Sequence, residues 1–379
     1  MTPNGIVESA EMRRLLWRSN PRERQTGRPI YISGAWNGCE PSGAPHILVF
    51  EVGRSRSTTP RSALTQALRP LKMTENEITD LFKTIATGFR DQIRSPILAT
   101  PASKGLQFED VTFPSEDGVP LEAWFIPCEG SSKLVIANHP RWFNRYGLPA
   151  HLEPWKSTFK STGNDFEVNF ISDYKILHDA GYNVLTYDFR NHGQSGSANG
   201  SLVTNGVFES RDVVGSLDYV RSRPDLDRMT VGLLSRCLGC SSTIVAMARR
   251  PERFSEVKCM VGVQPLAVRT IMERTLASAG IPPHRIEDLD AQMRLSTSFS
   301  LDDLSPVDSA SSVDVPTLLY QVRNDSMLDS SIVQTIYDAI RTSEKHLHWI
   351  EGTTRRWDGY TYFAREPKIS LDWFARYMN

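Results

Sequence analysis

Two patterns of hydrophobic and polar positions divide the chain, and they meet near residue 106. Up to about residue 65 no period is visible. The stretch is rich in Arg, Ser, Pro and Gly, with GCEPSGAP and GRSRSTTPRS as its least patterned parts, and predicts a loosely packed arm. A dimer arm or a cover over a site is the functional alternative. From Thr74 onward Ile78, Leu81, Phe82, Ile85, Phe89 and Ile93 recur at helical spacing, and Thr74 with Glu77 has the capping-box pattern. A helix is expected over about 74–95. From about residue 107 short apolar runs alternate with amphipathic stretches. QFEDVTFP and LEAWFIP flank an Asp-Gly turn and predict a hairpin. KLVIAN, YNVLTYDF, RMTVGLL, VKCMVGVQP, VPTLLYQV and HLHWIEG predict buried strands. Helices are expected over 165–181 and in FESRDVVGSLDYVRSRP, CLGCSSTIVAMARRP, SSIVQTIYDAIRT and ISLDWFARYM. Apolar strands in such alternation predict an α/β fold: a mostly parallel eight-stranded sheet with helices on both faces. The expected organisation is an N-terminal extension over 1–105 and a main domain over 106–379, with a small helical lid at about 266–314.

Composition narrows the partners. The 379 residues are 40% hydrophobic and 23% charged, with a net charge of −1, so no global field favours nucleic acid or an anionic membrane surface. No apolar run reaches the roughly 18 residues that span a bilayer. The first residues hold no apolar segment resembling a secretory signal, and a cytoplasmic location is expected. Five cysteines at irregular spacing fit free thiols in a reducing compartment. A small-molecule substrate is the expected partner, without nucleic acid, membrane, metal or organic cofactor, and with a homodimer left open.

Four segments carry chemistry. VGLLSRCLGC runs from a strand into a helix and sets Cys237 between small residues, Ser235 and Gly239, as a small-x-nucleophile-x-small turn requires. YDFRNHGQSG (187–196) follows an earlier strand, and ANHPRWFNRYG follows the strand KLVIAN. VPTLLYQVRNDSMLD places Asp325 in the turn after a late strand, with Asp329 as a second carboxylate. In this order the segments resemble the α/β-hydrolase superfamily over about 107–379, and its dienelactone-hydrolase-like branch in having cysteine at the nucleophile elbow. The resemblance implies that Cys237 is the nucleophile and Asp325 the acid. It implies that the backbone N–H groups of Arg141 and Leu238 form the oxyanion hole, and that His192 and His139 are structural. Pro140 stands where the family has glycine, which removes one backbone donor.

The family's catalytic histidine follows the last strand. Here that loop reads WIEGTTRRWDGYTYF, with Arg355 and Arg356 at the corresponding positions and no histidine beyond His348. The thiolate is the reactive form of cysteine, and a helix N-terminus or a nearby cation favours it. Arg236, Arg355 or Arg356 could supply that cation, with Asp325 holding an arginine instead of an imidazole. Hydrolysis of an ester, thioester or lactone is the expected reaction. Acyl transfer, lyase or cyclase chemistry, or a binding module without catalysis, are the alternatives that the missing histidine raises. Trp142, Phe143 and Trp357 are the candidate substrate contacts and suggest a small apolar or aromatic compound. Cys237-Leu-Gly-Cys240 is also a C-x-x-C at a strand-to-helix junction, the arrangement of a redox pair.

Overall fold

The computed structural model describes residues 73–379; the arm expected before residue 65 lies outside them. Helix α1 (Glu75–Thr87) opens on Thr74, whose side chain accepts from the Glu77 N–H while the Glu77 carboxylate accepts from the Thr74 N–H. It stops at Gly88, short of the expected end near residue 95. Ile78, Phe82 and Ala86 are its buried face, each large side chain contributing roughly 1.5–3 kcal/mol.

The sheet has eight strands: β1 (Glu109–Pro114), β2 (Pro120–Ile126), β3 (Lys133–Asn138), β4 (Asn183–Tyr187), β5 (Thr230–Arg236), β6 (Val257–Val263), β7 (Thr317–Val322) and β8 (Lys345–Ile350). Their spatial order is β1-β2-β4-β3-β5-β6-β7-β8. The β1–β2 hairpin and the β2–β4 pair are antiparallel, and all other pairs are parallel. Strands β3 to β7 have almost every side chain buried because helices cover both faces. Those helices include α2 (Ile171–Asp179), α3 (Ser210–Ser222), α4 (Leu238–Arg249) and, after the excursion between β6 and β7, α7 (Ser331–Ala339) and α8 (Lys368–Tyr377). The excursion itself holds α5 (Val268–Ser278) and α6 (Ile286–Thr297), and α1 packs against α6. Among the described residues no helix is long and apolar enough to cross a membrane.

The helix expected over 165–181 begins late. Glu167–Asn169 pairs antiparallel with Gly147–Pro149 as a short ribbon, and the Asn169 side chain then accepts from the Ile171 N–H to start α2. A local pattern could not show this, because the ribbon's partner strand lies about 20 residues upstream.

Register decides where chemistry can gather. Asn138 at the end of β3 lies opposite Ser235 on β5, Arg236 opposite Val263 on β6, Val263 opposite Tyr320 on β7, and Val322 opposite Ile350 on β8. The loops that follow these strands therefore leave one edge of the sheet together, the C-terminal edge where open parallel sheets build their sites.

Candidate active site

Cys237 is the hinge of the β5–α4 turn. Its backbone sits at φ 49°, ψ −109°, a conformation that L-residues rarely adopt and that costs of order 1–3 kcal/mol. Neighbouring bonds hold it there: the Cys237 N–H donates to Val263 O at 2.7 Å and the Gly239 N–H to His139 O at 3.1 Å. Gly239 must be glycine, because a Cβ there would lie 2.6 Å from the Asn138 Cβ and 2.9 Å from its carbonyl. Ser235 is small for a related reason, its hydroxyl tying Asn138 (2.8 Å) to Thr243 (3.0 Å) beneath the turn. The Leu238 and Arg141 N–H groups have no acceptor among the described residues.

Asp325 and Arg356 meet beside the thiol. Arg356 is 2% exposed; its Nη1 donates to Asp325 Oδ2 at 2.6 Å and its Nη2 to Gln264 O at 2.6 Å. The buried Asp325 also accepts from Gln321 Nε2 at 3.0 Å and from the Met327 N–H at 2.8 Å. Gln264, itself at φ 51°, returns a bond to the Arg356 carbonyl at 2.7 Å and clamps the loop. The third Arg356 nitrogen, Nε, donates to the Tyr360 hydroxyl at 2.8 Å. Tyr360 is fully buried and lies beside Cys237. Burial pushes its hydroxyl well up. The Arg356 charge opposes this, while the nearness of Cys237 adds to it. Sequence reasoning missed Tyr360. Its signal was its place one helical turn after Arg356 in RWDGY, the spacing that puts two side chains on one face.

Arg355 does not reach the site. It is the N-cap of the short helix Arg356–Tyr360, and its guanidinium turns back to Asp358 at 2.9 Å and over the Phe166 ring. Successive side chains on a helix diverge by about 100°, so adjacent arginines cannot share a target here. Arg236 likewise points away from the sulfur, into a buried pair with Asp173 at 2.5 Å and over the Phe170 ring. Asp329 caps the approach to α7 through the Ser331 N–H. Cys240 lies under the elbow with no exposure, its sulfur facing Gly262, and burial pushes its thiol up. Cys128, Cys237, Cys240 and Cys259 are all free thiols.

The loop after β3 is braced from both sides. The His139 Nε2 accepts from the Phe189 N–H at 2.9 Å, so Nδ1 carries the proton and donates to Pro140 O at 2.7 Å. Burial, together with the charges of His192 and nearby arginines, holds His139 far below the ordinary histidine value. His192 packs on it and donates through Nδ1 to Arg190 O at 2.8 Å. Asp188 binds the Arg145 side chain and the backbone N–H groups of Arg145 and Gln194 at 2.7 and 2.8 Å. The Arg141 guanidinium donates to Gly88 O (2.9 Å) and lies over Phe89 and Trp142, near enough to Cys237 to interact with it electrostatically, so the segment after α1 holds this loop down. Phe143 and Trp357 are each 1% exposed and pack with Phe159, Phe170 and Tyr360 behind the thiol. Trp142, at φ 68°, is partly exposed. Cys237 itself is 5% exposed. A surface groove of about 920 Å³ lies along the loop after β8 between His348, Arg355 and Glu366.

No family model matches the chain. An uncharacterized 31.7 kDa protein of Escherichia coli, from the traX-finO intergenic region, is 20% identical over 243 residues, 53% of this chain and 82% of that protein. The uncharacterized protein YqkD of Bacillus subtilis is 24% identical over 182 residues, 46% of this chain and 57% of its own. Among solved structures, an esterase of Pyrococcus furiosus superposes with a TM-score of 0.55 at 20% identity, covering 76% of this chain and 98% of that one. The acylaminoacyl peptidase of Pyrococcus horikoshii gives a TM-score of 0.52 at 15% identity over 73% of this chain and 43% of its own. With the strand order and the elbow, these likenesses define the fold as that of the α/β hydrolases.

Proposed function

We propose that the chain is a cysteine-nucleophile hydrolase of the dienelactone-hydrolase-like type, acting on an ester, thioester or lactone of a small apolar or aromatic acid. The observation that carries this reading is the strained elbow of Cys237 with the buried Arg356–Asp325 pair set against its thiol. In this reading the Cys237 thiolate attacks the acyl carbon. A C–S bond forms, and the charge that develops on the carbonyl oxygen is received by the N–H groups of Leu238 and Arg141. Collapse expels the alcohol or thiol and leaves a thioester on Cys237. Arg356 stands where the fold has its histidine, and Asp325 holds it as it would hold an imidazole. The permanent charge of Arg356 opposes a negative sulfur without taking a proton, so it replaces half of what histidine does. Trp142 is the candidate contact for the acyl group at the rim, and Phe143 and Trp357 act behind it by excluding water.

Acyl transfer to a bound amine, alcohol or thiol is the second reading. It is favoured by the low exposure of Cys237 and by the lack, among the described residues, of an imidazole bonded to its thiol. One experiment separates the readings: intact-mass spectrometry after incubation with aryl esters and acyl thioesters, beside Cys237→Ala. The expected result is an acyl mass gain on the wild type and none on the variant. Rapid loss of the adduct in water supports hydrolysis, and its persistence until an acceptor is added supports transfer. No adduct from any probe would sink the nucleophile assignment.

A further inference from the structure

The Arg356 guanidinium holds charge but exchanges no proton, and Asp325 is turned onto it, so a thioester route needs another group to protonate the leaving oxygen and later deprotonate water. Tyr360, bonded to Arg356 and beside Cys237, carries a hydroxyl proton that can serve.

We propose that Tyr360 is a catalytic residue of this site, the general acid of acylation and the general base of deacylation, in place of the missing histidine. The inference rests on the nucleophile reading above. Its first support is geometric. The Tyr360 oxygen accepts from Arg356 Nε at 2.8 Å, which occupies one lone pair and leaves its own proton without an acceptor among the described residues. Its ring is pinned against Phe143 at 5.4 Å, and its backbone belongs to the short helix that Asn164 anchors through the Trp357 N–H at 2.9 Å. The phenol oxygen is thereby held in place. The second support is electrostatic. Burial keeps the hydroxyl protonated at rest, as a general acid must be, and the permanent cation bonded to its oxygen lowers the cost of the phenolate formed when the proton leaves. Asp325 and Gln264 fix that cation from its other donors, so they are positioning residues for Tyr360 as well as for Arg356.

The proton count closes. The thiolate attacks the ester carbonyl and the C–S bond forms. The C–O bond then breaks while the Tyr360 O–H proton passes to the departing alkoxide, which leaves as the alcohol. The tyrosinate remains paired with Arg356. Water attacks the thioester carbon and gives one proton to the tyrosinate. The C–S bond breaks, the acid departs and the thiolate and neutral Tyr360 are restored. No oxidant, metal or second substrate enters.

The test uses leaving-group dependence, which a purely structural tyrosine would not alter. Acylation of the full-length wild type by phenyl, 4-chlorophenyl and 4-nitrophenyl phenylacetates is followed by intact mass in rapid-quench time courses, beside Tyr360→Phe. Nitrophenolate departs without a proton, whereas phenolate is helped by one. Tyr360→Phe is expected to slow acylation by the phenyl ester about 100-fold or more, the usual range for a lost general acid, and to leave the 4-nitrophenyl ester much less affected. Deacylation should slow for every ester, because all share one thioester. Equal slowing of the three acylations, or none, would overturn the proposal while leaving Cys237 as nucleophile. If the variant does not fold, the wild type alone decides. A shallow dependence on the leaving group supports an internal acid, and a steep one overturns it. Absence of any wild-type adduct would instead overturn the nucleophile reading, and this proposal with it.

Discussion

Two clusters of ionisable side chains flank Cys237, and their residue types suggest roles opposite to those they play. On the β3–β4 side stand two histidines, the usual general bases. His139 has both ring nitrogens committed to the backbone, and His192 has its protonated nitrogen committed to Arg190 O. They are neutral struts that hold the loop after β3 at a fixed distance from the Asp188 turn. On the β7–β8 side stand an arginine, a carboxylate and a tyrosine, which look like a structural ion pair and a packed ring. There the hydrogen-bonded chain Asp325–Arg356–Tyr360 runs to the nucleophile. What a titratable group can do is set by which of its atoms remain unclaimed, more than by its residue type.

Breaking the arginine side should have the larger effect. Replacing Arg356 with Met removes one partner of a buried pair and leaves Asp325 without its cation. A loss of about 3–5 kcal/mol is expected in urea unfolding. Acylation of Cys237 per folded molecule should fall about 100-fold or more, as when a preorganised donor is removed. By contrast, His139→Gln should cost about 1–3 kcal/mol through the orphaned Phe189 N–H and reduce acylation far less. If the two variants lose acylation equally, the division between the sides is wrong.

The histidine side can be sharpened by pH. Burial pushes His192 down to about 3, although its bond to the Arg190 carbonyl pulls the other way. In the unfolded chain the ring takes a proton near 6.5. Between those values the unfolded state binds more protons. The contribution of His192 is therefore lost as the pH falls below about 6.5, and stability rises with pH through this window. His192→Asn keeps a donor for Arg190 O and removes the titration. It should flatten the dependence of unfolding free energy on pH between 4.5 and 6.5 by up to about 1.4 kcal/mol per unit. An unchanged slope in the variant would show that His192 titrates normally.

The smallest effect belongs to Arg355. Its side chain is 49% exposed and paired, among the described residues, with Asp358, so Arg355→Ala should change stability by about 0.5 kcal/mol or less and leave acylation as it was. Any marked loss of acylation would bring Arg355 back into the site.

Much was legible in the chain itself. Apolar runs of strand length separated by amphipathic stretches dictate a parallel sheet covered on both faces, because such strands can be buried only that way. The elbow was legible for a local reason: a turn this tight admits only small neighbours, and Ser235 and Gly239 carry that requirement in the sequence. The placement of Asp325 beyond a late strand follows from the same alternation. The ribbon at Gly147–Pro149 was not legible, since strand pairing at a distance leaves no period in either segment. Neither was the choice between Arg355 and Arg356, which depends on how the short helix at Arg356–Tyr360 is rotated against Asn164 and Gln264. Tyr360 reads in the sequence as one more aromatic at helical spacing. It is tertiary packing that leaves its hydroxyl between a fixed guanidinium and a thiol. Local sterics and hydrophobic periodicity thus determined the sheet and the strained cysteine. Which side chains surround that cysteine was decided only by the fold, because those contacts join loops after β6, β7 and β8 that the chain order keeps far apart.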